Sequence, residues 1–143
     1  MHPLYEKADR VSRQVIGAAI EVHRQGPGLI ELIYERCMLR ELELRSIPSV
    51  TQKLVRIEYK GLVFDELLRF DILVDHCLLL ELKAVEVLHP YSKAQLFSYM
   101  KLLEIPVGLL MNFHEPVLKS GIIRMILPGA NDGEESEDKV VSL

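Results

Sequence analysis

The stretch RFDILVDHCLLLELKAVE, residues 69–86, constrains this chain more than any other. It reads as a β-hairpin: one strand over 62–74, bent near Asp65-Glu66, a tip at Asp75-His76, and a second strand over 77–84. Side chains alternate along a strand, so Glu81 and Lys83 share one face while Leu80 and Leu82 share the other. On the first strand Asp71 lies on one face, and Phe70, Ile72 and Val74 lie on the opposite one. The turn length then decides the chemistry. A three-residue turn (Asp75-His76-Cys77) pairs Val74 with Leu78 and sets Asp71 across from Glu81; a two-residue turn places the two acids on opposite faces.

The rest of the chain supplies the elements around that hairpin. Residues 8–24 carry Val11, Val15, Ala18, Ala19 and Val22 at helical spacing, and Gly26-Pro27-Gly28 ends the helix. A second helix is predicted over 29–45, with Leu32, Ile33, Leu39 and Leu42 on its buried side and Pro48 after its end. Residues 52–59 alternate as a strand, closed by a turn at Lys60-Gly61. After Pro90, a favoured first helical residue, SKAQLFSYMKLLE reads as a helix. Two buried-type strands follow at 106–113 and 121–127. The order α-α-β-β-β-α-β-β, without internal repeats, predicts one α/β domain over 1–127 with a mixed sheet flanked by helices.

Composition bounds the partners. No apolar run approaches the roughly 18–20 residues that span a bilayer, and the N-terminal stretch lacks an apolar signal core, so a cytoplasmic protein is expected. Cys37 and Cys77 show no zinc-ligand spacing and read as small buried hydrophobes. The net charge of −4 sits in the segment 128–143, where five acids face one base; this acidic tail is expected to be disordered. The body over 1–127 balances 16 bases with 16 acids, so nucleic-acid binding by it should be modest and salt-sensitive.

Two carboxylates crowded on one patch repel, and one normally takes up a proton. A divalent cation removes the conflict, and hard oxygen ligands suit magnesium or manganese. A neighbouring lysine can hold water and stabilise charge developing on a phosphate. The plain alternative is a pair of surface carboxylates salt-bridged to Lys83. Two further features bear on the choice. Glu31 and Tyr34 in GLIELIY, residues 28–34, stand three apart on one helix face, and Gln95 and Tyr99 stand four apart on the late helix. Taken singly, Glu31 is a first-turn carboxylate favoured by the helix dipole, and the tyrosines are ordinary core-edge aromatics.

Together these residues resemble the PD-(D/E)XK nuclease superfamily, and more closely its small bacterial and archaeal branch of GxxExxY proteins. Gly28, Glu31 and Tyr34 fit that name, and Asp71 with Glu81-Leu82-Lys83 fits the catalytic signature of the central hairpin. Gln95 and Tyr99 match the glutamine and tyrosine of the following helix, while Phe70 replaces the proline of the superfamily's name. The resemblance covers roughly 8–127 and implies a restriction-endonuclease-like fold. It implies that Asp71, Glu81 and the Leu82 carbonyl ligate Mg²⁺ or Mn²⁺, with Glu31 as a further metal or water ligand. Lys83 would position the attacking water or steady the phosphate, Gln95 would orient the site, and Tyr99 would touch a phosphate or support Lys83. The expected activity is hydrolysis of nucleic-acid phosphodiesters by a metal-activated water, on DNA rather than RNA. The competing readings are a non-catalytic module of the same fold, binding nucleic acid or a protein, and a hydrolase of small phosphate esters. A homodimer, with the edge after residue 121 as one interface, would widen a small binding surface.

Overall fold

A computed structural model describes residues 1–26 and 28–131. Its elements run α1 (Tyr5–Gln25), α2 (Glu31–Leu44), β1 (Ser49–Tyr59), β2 (Leu62–Val74), β3 (Leu78–Lys83), α3 (Pro90–Leu103), β4 (Val107–Asn112), a 3-10 turn at Leu118–Gly121, and β5 (Ile122–Ile126). The five strands form one mixed sheet in sequence order. β1, β2 and β3 make an antiparallel meander, α3 carries the chain to β4 parallel to β3, and β5 returns antiparallel. This is the predicted α-α-β-β-β-α-β-β order and a restriction-endonuclease-like arrangement.

Two apolar layers cover the sheet. On one face Val11, Val15, Ala18, Ala19 and Val22 of α1, with Tyr34, Met38 and Leu42 of α2, pack on Ile72, Val74, Leu78, Leu80 and Leu82. On the other, Leu96, Met100 and Leu103 of α3 pack on Leu73, Leu79 and Leu110. With both faces of β3 and β4 covered, every residue of β3 but Lys83 and all of β4 are buried, as parallel strands between two helical layers must be. The α3 side is tight enough to need Gly108, where a Cβ would lie 2.7 Å from Met100 Sδ and 3.2 Å from Leu96. Gly108→Val is expected to cost about 1–3 kcal/mol by overpacking, read as a lower urea midpoint at unchanged slope.

The buried side of α2 differs from the sequence expectation. Leu42 is buried and Leu39 packs partly buried against the core, as expected, but Leu32 and Ile33 are exposed, and Tyr34 and Met38 face the core in their place. The ring of Tyr34 stacks on Phe113 at 4.5 Å, and this large aromatic contact sets the helix's rotation ahead of two isolated aliphatics in its first turn. The same rotation exposes Cys37, contrary to its expected burial; Cys77 is buried as expected.

The bend in β2 is also displaced from Asp65-Glu66. Register holds from Tyr59↔Leu62 to Gln52↔Arg69 and resumes at Val50↔Leu73, so Phe70, Asp71 and Ile72 stand opposite Thr51 alone. The pleat breaks there. Leu68 before the bulge, Phe70 within it and Leu73 after it all join the α3-side layer, so Phe70 does not share a face with Ile72 and Val74. At the other end of the chain, Ala130 is buried and its carbonyl accepts the His2 N–H at 2.8 Å. The rest of the expected acidic tail, 132–143, lies outside the described residues.

Candidate active site

The hairpin between β2 and β3 turns through three residues. Asp75 and His76 both adopt positive φ, the Cys77 N–H donates to the Val74 carbonyl, and Val74 pairs with Leu78. Pairing continues through Leu73↔Leu79 and Ile72↔Leu80, the register that carries Asp71 toward Glu81. There the bulge acts. Asp71 is released from the regular ladder, and its Oδ2 accepts the Leu82 N–H at 2.7 Å. The acid is thus pinned to the backbone between Glu81 and Lys83, at the point where the two strands part.

Glu81 follows the alternation of β3 and is only 5% exposed. Lys83 Nζ lies 3.3 Å from Glu81 Oε2 and 3.9 Å from Glu31 Oε1, so the lysine bridges a buried carboxylate on the sheet and one at the start of α2. Burial, then the neighbouring Asp71 charge, push the Glu81 carboxyl up to about 7, against the pull of Lys83. Burial likewise raises Asp71, although the Leu82 N–H and Lys83 favour its ionised form. Glu31 is raised by burial and by Asp71, with Lys83 opposing. Burial works against the Lys83 ammonium, yet Glu81, Glu31 and Asp71 together hold its pKa above the ordinary lysine value. Lys83 is therefore held in its charged form at neutral pH.

A fourth acid belongs to this group. Glu35 is raised by burial and by the charges of Asp71 and Glu31. Its spacing of four from Glu31 puts it on the same helix face. Four carboxylates thus share this corner; three of them act on Lys83, and Arg36 opposes the fourth.

The start of α2 is built to aim Glu31. Gly28 sits at φ 77, a left-handed angle that favours glycine, and the following Leu29 N–H donates to Tyr34 Oη at 3.1 Å. Gly28, Glu31 and Tyr34 are therefore one device: the glycine turns the chain, the buried tyrosine ties the turn down, and the carboxylate between them reaches Lys83. Tyr34→Phe keeps the stack on Phe113 and loses the Leu29 bond; the expected cost is about 1 kcal/mol in urea unfolding.

On α3 the two expected contributors differ in their contacts. Tyr99 donates its hydroxyl to the Arg69 carbonyl at 3.1 Å and meets Phe70 edge-on, which braces the strand just before Asp71. Gln95, half-buried one turn earlier, makes no side-chain hydrogen bond among the described residues. Asn112 was not read from the sequence at all. It is buried, accepts the Val85 and His114 N–H groups, and donates to the Val85 carbonyl, fastening the chain that leaves Lys83. A lone asparagine at a strand end carries no periodic signal, so nothing in the sequence marked it.

The donor set fits a divalent cation in kind and in charge. Asp71 and Glu81 offer hard carboxylate oxygens, desolvated and short of positive charge, and the Leu82 carbonyl stands between Glu81 and Lys83 in the chain. Among the described residues no three His, Cys, Asp or Glu side chains converge as a metal-binding group; Glu31 is engaged by Lys83. The fit therefore rests on two carboxylates and a main-chain carbonyl.

A family model for the PD-(D/E)XK nuclease superfamily matches residues 9–125. The chain belongs to that superfamily. Comparisons with curated proteins and with solved structures give no match.

Proposed function

We propose that this protein is a divalent-metal-dependent nuclease of the GxxExxY type, hydrolysing DNA phosphodiesters with Mg²⁺, or Mn²⁺ in its place. The observation that carries the reading is Glu81, a carboxylate 5% exposed, held beside Asp71 with its lysine at 3.3 Å. An acid cluster so costly to bury is retained where it has chemistry to do. When bound, the ion supplies an activated water and neutralises the phosphate.

The protein's own groups have separable tasks. Asp71 and Glu81, with the Leu82 carbonyl, would hold the ion, and the Leu82 N–H fixes one Asp71 oxygen so that the other is left to ligate. Lys83 remains charged at neutral pH and would steady the phosphate or orient the water. Glu31 would take a water or ligand position from α2 once its contact with Lys83 yields. Tyr99 supports the strand carrying Asp71, and Gln95 is assigned the orienting role on the same helix.

A panel of single- and double-stranded DNA, RNA and a small phosphodiester, each in EDTA, Mg²⁺ and Mn²⁺, tests this directly. DNA cleavage should require the divalent ion. Turnover of the small ester alone would replace the nuclease reading, and no turnover in any condition would sink it. The non-catalytic reading draws on the balanced charge of the body and on Lys83 lying between Glu31 and Glu81. It gains if nucleic-acid binding persists in Asp71→Asn while no substrate is cut by the parent.

A further inference from the structure

The sheet extends past its helical layers. β2 pairs with β3 only over Ile72–Val74, whereas β1 and β2 pair from Tyr59↔Leu62 back to Gln52↔Arg69. Residues 52–69 thus form a two-stranded arm, exposed along most of its length and spanning about 25 Å at the usual rise per residue. Leu54, Tyr59 and Leu62 are each at least 60% exposed, and Val63, Phe64 and Leu67 are exposed too. An isolated two-stranded ribbon is marginal in water, so an arm of this length calls for a further strand.

Its open edge is defined by the turn. Lys60 at φ 46 and Gly61 at φ 87 form a tight two-residue hairpin loop, which closes on a pair exchanging both backbone bonds. Tyr59 and Ile57 therefore direct their backbone groups toward Leu62 and Phe64 of β2. Leu54, Arg56 and Glu58 present theirs outward, where no described strand meets them. The opposite edge of the arm is partly closed, since Tyr99 binds the Arg69 carbonyl. The β1 edge between Lys53 and Tyr59 holds no proline and no register shift; its charged side chains Lys53, Arg56 and Glu58 are what discourage indiscriminate pairing there.

We infer that a second copy of this chain adds to the β1 edge, β1 against β1 antiparallel about a two-fold axis at Ile57. Charge selects that register. Backbone geometry allows outward pairs only among Gln52, Leu54, Arg56 and Glu58 of the two copies, and only the register that sets Arg56 against Glu58 joins opposite charges. Pairing Arg56 with Arg56, or Glu58 with Glu58, opposes like charges. The intermediate register sets Arg56 against Glu58 of the other copy, twice by symmetry, and Ile57 against itself. On the same face Val55 then meets Tyr59 of the other copy, continuing the apolar stripe by which Val55 packs onto the α3-side layer. Arg56 also faces Asp65 of its own β2 at 3.5 Å, so charges alternate across the joint. An interface of one strand edge is small, and the dimer is accordingly weak and concentration-dependent. β5, the other edge, is shorter, and its Arg124 is already engaged by Asp9 and Ser12 of α1.

Sedimentation equilibrium of the full chain should show a monomer–dimer exchange, shifted at least tenfold toward monomer by Glu58→Arg. Glu58 is exposed opposite Val63, so this substitution leaves the arm's own pairing intact. In a Cys37→Ser background, Ile57→Cys should oxidise to a disulfide-linked dimer, because the pair at the axis is the close, non-hydrogen-bonded kind. Leu54→Cys, opposite Lys60 of the other copy, should not. A chain that stays monomeric at every concentration overturns the inference, as does equal cross-linking at both cysteines. An arm that gains amide protection only when an oligonucleotide is added assigns the ribbon to nucleic acid instead and overturns it equally.

Discussion

Asp71→Asn is expected to remove cleavage, by on the order of 10³-fold or more in kcat, and to leave the protein at least as stable as the parent. The two outcomes share one cause. The asparagine oxygen can still accept the Leu82 N–H, so the pin between β2 and β3 survives. What disappears is a negative charge that raises the pKa values of Glu81, Glu31 and Glu35. A crowded group of acids is relieved, and urea unfolding in EDTA at pH 8 should shift upward by about 1 kcal/mol. Lys83→Met makes the opposite pairing of effects: it is inactive too, but strips the carboxylates of their cation and unfolds earlier. A merely structural ion cluster predicts the reverse for Asp71, a loss of stability of several kcal/mol with cleavage intact. Cleavage by Asp71→Asn at the parent's rate would remove the acid from the proposed chemistry.

The hairpin shows why so much of this site was readable. The approach of its two acids depends on the turn length, and Asp75-His76-Cys77 with Val74↔Leu78 is the one of the two turns open in the sequence that brings Asp71 toward Glu81. Element order was equally legible, because glycine, proline and apolar spacing are local signals. The bulge at Phe70–Asp71–Ile72 was not, since nothing in FDI distinguishes a regular strand from one whose middle residue is turned aside by a bond to Leu82. The rotation of α2 was hidden for a similar reason. Leu32 and Ile33 look like core residues until Phe113, some 80 positions later, supplies the ring on which Tyr34 stacks. Asn112 belongs to the same class: its role exists only after β4 is brought beside β3.

The second large effect is a stability that falls with pH in the absence of metal and recovers when metal is added. Glu81 has a folded pKa of about 7 against an ordinary 4.5. Between those values the folded chain keeps a proton that the unfolded chain has released, so unfolding becomes easier as pH rises. Below about pH 4.5 both states are protonated and above about 7 both are ionised, which confines this slope to the interval. Some 2.5 pH units correspond to about 3 kcal/mol. The raised Asp71 and Glu31 act in the same sense, while the raised Lys83 titrates well above this range. A divalent cation competes with the proton for the same oxygens, so Mg²⁺ should add little to the stability at pH 5 and most at pH 8, about 2.7 kcal/mol at a hundredfold excess over Kd. Calorimetric scans across pH, in EDTA and in Mg²⁺, read both curves. Glu81→Gln should flatten the EDTA curve and forfeit most of the gain from Mg²⁺. An EDTA curve without slope between pH 5 and 7 would contradict the buried acid. A sloping curve that neither Mg²⁺ nor Mn²⁺ lifts at pH 8 would leave the buried acid standing and remove the metal from the proposal.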